Sequence, residues 1–247
     1  YIHTYTGTIY FGSWNRIFYA LDASGNLKWK YETNGAISAS PLLLTNEKSE
    51  THIYVGSSDG LMYKFDTNGR VVWKSRIGEA IYSSAAASSD QNTLYFGAND
   101  SQLYAIDVKS GEIVWSRMLF GKIEASPAVG SDGTIYVADF GGIVSAILPR
   151  DGSVKWKYEI PNRAPIVSSP ALDLEDTTYI GSKTKHAFAI RRDGTLKWSL
   201  HLNENVDSTP VLDRDGKLVF GGSKGTVYVV DSELGHLLFS FNMGSGV

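Results

Sequence analysis

Five tryptophans and a phenylalanine recur along this chain at a nearly constant interval. Trp29, Trp73, Trp115, Trp156, Trp198 and Phe239 are separated by 44, 42, 41, 42 and 41 residues. A period of about 40–45 residues constrains the fold more than any local feature does, because each repeat is one supersecondary unit that cannot bury its apolar face alone. Nothing linker-like interrupts the rhythm, so the 247 residues read as one body.

Each repeat carries the same short strands. The second reads Ile9-Tyr-Phe-Gly12, Ile53-Tyr-Val-Gly56, Leu94-Tyr-Phe-Gly97, Ile135-Tyr-Val-Ala138, Thr178-Tyr-Ile-Gly181 and Leu218-Val-Phe-Gly221. β-Branched and aromatic residues suit a pleated, half-buried surface, and the small terminal residue turns the chain. Ten residues later a third strand ends at Asp22, Asp66, Asp107, Leu148, Arg191 or Asp231, and a glycine follows within four residues. That is a hairpin turn, begun by an Asx side chain where Asp is kept. The fourth strand carries the indole. A first strand is marked by Ser40-Pro41, Ser84-Ala85, Ser126-Pro127, Ser169-Pro170 and Thr209-Pro210. Proline has no N–H and belongs on a strand with an unpaired side, so these steps mark an edge strand. The expectation is an all-β chain, a β-propeller of about six four-stranded blades. Its repeats span residues 1–36, 37–80, 81–122, 123–165, 166–205 and 206–247, with the prolines on the innermost strands and each indole wedged between neighbouring blades. The chain opens midway through a first strand and stops where another would begin. Either the ring closes with Val247 meeting Tyr1, or the chain is a segment cut from a seven- or eight-bladed array; closure removes free edges, and a six-bladed ring is the expectation.

The order Ser-Ser-Pro, Tyr-x-Gly, Tyr-Ala-x-Asp and Gly-x-x-x-Trp, best seen from Leu94 to Trp115, resembles the PQQ-like repeat of quinoprotein-type β-propellers over essentially the whole chain. That family includes PQQ-dependent alcohol dehydrogenases, BamB-like outer-membrane assembly lipoproteins and sensor domains attached to kinases. The catalytic members have eight blades, a calcium site beside the cofactor, a catalytic Asp and usually a vicinal disulfide. This chain has six repeats and no Cys. Asp207 and Glu124 could serve as base and calcium ligand, but no motif selects them. The resemblance therefore implies a non-catalytic scaffold closest in style to BamB-like members, with no cofactor expected and an extracytoplasmic location. A PQQ- and calcium-dependent oxidoreductase and a sensory ectodomain of a larger receptor or kinase stay open as alternatives. Fold alone does not choose among them.

Departures from the repeat on the face carrying the loops between second and third strands are the candidate site. Trp14 and Phe140 stand where other hairpins have Ser or Asp. Tyr82, Glu124 and Asp207 occupy the mouth of the first strand, where Ser38 and Val167 sit in sister repeats, and Asn162 and Arg163 fall in a longer link from Tyr158 to Pro165. Together they suggest a rim for a protein or peptide segment, with aromatic anchors and mixed charge.

Other chemistries find little support. Net charge is −3 with basic residues scattered through the turns, which argues against nucleic acid as a partner. No run of 18 apolar residues exists to span a bilayer. Gly56-Ser-Ser-Asp-Gly60 and Gly221-Gly-Ser-Lys-Gly225 match a nucleophile-elbow spacing but lie between two strands rather than before a helix. The five His show no paired spacing for a metal. Asp213-Arg-Asp215-Gly216 opens like a calcium loop without its later carboxylate. The longer polar loop from Thr45 to His52 reads as a solvated excursion on the opposite face.

Overall fold

The computed structural model describes residues 7–244, which fall into two compact units that meet in the sequence between Met118 and Leu119. Each unit carries three antiparallel sheets, and each sheet is a meander in chain order. In the first unit, sheet 1 comprises Ile9–Gly12, Ile17–Leu21 and Leu27–Glu32. Sheet 2 comprises Leu42–Thr45, Thr51–Gly56, Leu61–Asp66 and Val71–Arg76. Sheet 3 comprises Ala86–Ala87, Thr93–Gly97, Gln102–Asp107 and Ile113–Met118. In the second unit, sheet 4 comprises Ala128–Val129, Ile135–Ala138, Ile143–Ile147 and Val154–Glu159. Sheet 5 comprises Ala171–Leu172, Thr178–Gly181, His186–Ile190 and Leu196–His201. Sheet 6 comprises Val211–Leu212, Lys217–Gly221, Thr226–Asp231 and Leu237–Asn242. Among the described residues there is no α-helix, only a short 3₁₀ turn at Pro161–Arg163. The first strand expected for sheet 1, and the expected meeting of Tyr1 with Val247, lie outside the described residues.

The indoles do what the spacing predicts wherever both partners belong to one unit. Trp29 Nε1 donates to Thr67 O at 2.9 Å, Trp73 Nε1 to Val108 O at 3.2 Å, Trp156 Nε1 to Arg192 O at 2.8 Å and Trp198 Nε1 to Ser232 O at 2.8 Å. Each acceptor lies in the third-to-fourth-strand turn of the next sheet, where a glycine makes room for the ring. A Cβ added to Gly69 or Gly111 would fall 2.6 or 2.7 Å from Trp29 or Trp73, and both glycines have positive φ. Only glycine combines that backbone with so close an approach. Each indole thus couples two consecutive sheets by area and by a directed hydrogen bond.

Within each sheet the indole faces a small residue across the ladder: Ala20 pairs with Trp29, Ala105 with Trp115, Ala146 with Trp156 and Ala189 with Trp198. The register shifts by one residue just beyond this pair in all six sheets. Such a bulge adds local twist. Sheet 2 breaks the rule, with Lys64 opposite Trp73.

The proline-marked strands are sheet edges, as expected. Their serines also have a bonding role that spacing did not show. Ser40 N donates to Ser84 Oγ at 2.8 Å in the first unit, and Ser126 N to Ser169 Oγ at 2.9 Å in the second. The preceding serine accepts the N–H of the residue that closes the second strand: Ser83 from Gly97 and Ser168 from Gly181, both at 3.2 Å, and Ser208 from Gly221 at 2.7 Å. Hydroxyls replace the ladder bonds that a strand of two residues cannot make.

Candidate functional site

The loops between second and third strands of sheets 1 to 3 share a device against which the departures stand out. A polar side chain at the tip binds a tyrosine four residues on. Tyr63 donates to Asp59 at 2.7 Å, Tyr104 to Asp100 at 2.5 Å, and Asn15 Nδ2 donates to the Tyr19 hydroxyl at 2.9 Å. Sheet 6 lacks an acid at its tip, and the buried Glu204 of the preceding link substitutes, accepting from Lys224 N and, at 3.2 Å, from Tyr228. Burial pushes the Glu204 carboxyl up, but hydrogen bonds from Thr226, Lys224 and Tyr228 outweigh it and hold the group below its ordinary value.

In the first unit, Trp14 is 76% exposed at the tip of its turn. The following Arg16 has φ of 71° and reaches back to Glu32 at 3.7 Å. Tyr82 is half-buried between the buried Ile81 and Ser83. The two residues belong to different links of that unit.

In the second unit Phe140, Glu124 and the link carrying Arg163 lie near one another. Phe140 is half-buried, with Lys122 Nζ 4.3 Å from its ring centre and Glu124 3.1 Å from the same ammonium. Phe120 joins them. It is 47% exposed, and Lys157 Nζ stands 4.6 Å from its ring centre. Gly121 and Gly141 let the two phenylalanine-bearing segments touch, since a Cβ on Gly121 would lie 2.3 Å from Gly141 N. Phe140 N donates to Lys122 O at 3.0 Å. The longer link packs on the next residue, because a Cβ on Gly142 would lie 2.5 Å from the Arg163 backbone. Asn162 and Arg163 both have positive φ, 61° and 48°, and Arg163 makes a two-pronged pair with Glu159 at 2.7 Å in each arm.

Asp139 lies beneath this patch with no exposed surface. It accepts the N–H groups of Gly141 at 2.8 Å and Phe120 at 3.2 Å, and so ties the two aromatic segments together. Burial pushes its carboxyl up, against the pull of those N–H groups and of Arg163. Asp207 belongs to the next link and joins none of these contacts; its buried Oδ1 has no hydrogen-bond partner among the described residues.

A family model described as beta-alanine-activating enzyme, beta-propeller, matches residues 1–247. The chain belongs to that family. The propeller is also similar to the crystal structure of BamB from Moraxella catarrhalis, with a TM-score of 0.80 and 20% identity over 98% of this chain and 75% of that one. At that identity the likeness speaks to the fold alone. No curated protein sequence matches the chain. The propeller reading of the repeats is thus borne out, with five blades of four strands and three described strands in the first.

The repeat missed Phe120, Lys157 and Asp139, for identifiable reasons. Phe120 sits in a link of no fixed pattern, and Lys157 looks like any solvent-facing strand residue. Asp139 did carry a signal, since it stands where other blades have Ser57 or Ser182. Both nucleophile-elbow matches are hairpin turns between strands. Asp213 caps the turn after the first strand of blade 6, accepting from Asp215 N and Lys217 N. Among the described residues no three His, Asp or Glu side chains converge on one point as ion ligands, and Glu124 is engaged by Lys122. Among the described residues no helix is long and apolar enough to cross a membrane.

Proposed function

We propose that this propeller is a non-catalytic docking module that holds a protein or peptide segment on the loop face of its second unit. The observation that carries the reading is the pair Phe120 and Phe140, each beside a lysine ammonium and joined through the buried Asp139. Exposed aromatic area on a preorganised backbone is the usual anchor of an interface, and flanking cations select acidic neighbours on the partner. Glu124, Asn162, Arg163 and Asp207 supply the polar rim in this reading; Trp14 and Tyr82 belong to the first unit and are candidate contact residues of that unit by itself. The mode is aromatic anchoring of an extended segment. No cofactor is needed. The family's description as a beta-alanine-activating enzyme makes other segments of such an enzyme natural candidates for the docked partner. Placement outside the cytoplasm rests on the resemblance to BamB-like proteins, and a chain without cysteine suits either kind of compartment.

The test is a peptide-display selection against the immobilised full chain. The reading expects enriched sequences that pair acidic with apolar side chains, and loss of their binding in Phe120→Ala, Phe140→Ala and Lys122→Glu. Absence of enrichment, or binding that survives all three changes, overturns it.

A further inference from the structure

The first unit holds a second site, at the other end of its blades. A cleft of about 850 Å³ opens between sheets 2 and 3, walled by the polar loop from Thr45 to His52 and by the turn from Ser89 to Asn92. Lys64 lines it, with the residue only 6% exposed. Its position in the ladder is that of Ala20, Ala105, Ala146 and Ala189, each opposite the blade's indole. A sheet of this kind is complete with alanine there, so the lysine has no structural vacancy to fill.

The ammonium is poorly provided for. Lys64 Nζ donates to Val108 O at 3.0 Å, and that carbonyl already accepts from Trp73 Nε1. Among the described residues it has no other hydrogen-bond acceptor, although a lysine carries three N–H donors. Burial lowers its pKa, against the attraction of Asp107 and Glu50. A charged group buried with unmet donors is unfavourable unless something in the adjoining space meets them. The acids of the wall do not. Asp90 accepts from Ser88 and Asn92, and Glu50 Oε2 is held by Asn46 at 2.8 Å. Beside the ammonium lie the Tyr54 ring, 5.5 Å from Nζ, and the apolar side chains of Leu44 and Val108.

We propose that this cleft binds the carboxylate of a small organic acid, with the Lys64 ammonium as the anchoring charge and Tyr54, Leu44 and Val108 packing the carbon chain. A monoanion fits better than a phosphate. Lys64 is the one buried cation of the lining; the exposed Lys48 and Lys109 are matched along the walls by Glu47, Glu50 and Asp90, and the nearby Glu50 and Asp107 disfavour a second negative charge at the ammonium. The site shares no residue with the docking face.

Propionate titrated into the full chain, with inorganic phosphate in a parallel titration, tests this by NMR. Saturable shifts at the amides of His52, Tyr54 and Val108 are expected with propionate. Affinity should fall by at least about tenfold in Lys64→Met, the order of one charge-assisted hydrogen bond. Lys64→Ala restores the residue of the sister blades, so the loss can be read in a folded chain even if the methionine variant fails to fold. Glu50→Gln should tighten binding by removing a competing charge. No saturable propionate binding, equal affinity in wild type and the Lys64 variants, or tighter binding of phosphate through the same residues overturns the proposal.

Discussion

The notch between sheets 2 and 3 and the notch between sheets 4 and 5 are built on one plan and filled in opposite ways. In both, an indole from one sheet donates to a turn carbonyl of the next. Between sheets 4 and 5 the space is closed by a polar network of ion pairs and hydrogen bonds, although the buried Tyr136 hydroxyl beside it has no partner among the described residues. Arg192 binds Asp132 at 2.7 Å and Asp176 at 3.6 Å, Lys155 reaches Asp132 at 3.3 Å, and Asp176 takes both the N–H and the hydroxyl of Ser131 at 2.8 Å. Between sheets 2 and 3 a cleft stays open and a buried ammonium faces it. A repeat fixes which residues meet. It does not fix whether their polar groups satisfy one another or wait for something else.

The largest expected difference comes from removing the buried acid of the closed notch. Asp176→Ala leaves the Ser131 donors unmet at a site of φ 62°, and should destabilise the chain by about 2–3 kcal/mol in urea unfolding. A change below about 0.5 kcal/mol would show that the network is solvated and the contrast is false.

Next come the indoles. Trp156→Phe should cost about 1 kcal/mol, because Arg192 O loses this donor. Trp73→Phe should cost less, since Lys64 still donates to Val108 O. Equal costs would deny the shared carbonyl its meaning. Lys64→Ala should fall within about 0.5 kcal/mol of wild type or above it, because replacing a buried charge by the sister residue removes a desolvation penalty.

The smallest effects lie in pH dependence, where the notches respond at opposite ends of the scale. The Asp132 carboxyl is lowered from 3.8: burial alone would raise it, and bonds from Thr134, Arg192 and Lys155 outweigh that. The unfolded chain therefore holds the extra proton just below 3.8, and stability is lost as pH falls through that window. Lys64 is lowered from 10.5 by burial, so the unfolded chain keeps its proton longer and stability climbs with pH up to 10.5. Urea midpoints followed across pH should lose the acid slope in Asp132→Asn and the alkaline rise in Lys64→Met.

The sequence made the ladder and the wedge legible because both depend on residue type at a fixed period. The Trp series, the glycines under it and the proline-marked edges all follow from sterics that recur in each blade. The candidate site was legible only in part. Phe140, Glu124, Asn162 and Arg163 stood out by departing from the pattern; Phe140 and Glu124 share Lys122, and the Arg163 backbone packs on Gly142. Phe120 lies in a link with no pattern to depart from, so only the fold brings it beside Phe140. Lys64 is a different lesson: it broke the Tyr-Ala-x-Asp consensus in plain view. Its significance needed the burial and the single acceptor that spacing cannot supply. The loop from Thr45 to His52 is solvent-exposed, as its polar composition said, and it also lines the cleft, which spacing did not show.

The docking claim is tested most directly by amide-shift mapping of the full chain as a display-selected acidic peptide is added. The account predicts perturbations centred on Phe120, Lys122, Phe140 to Gly142 and Asn162 to Arg163, with the Lys64 cleft unmoved. Shifts centred on that cleft, or on the outer fourth strands, with the Phe120 and Phe140 segments silent would contradict it.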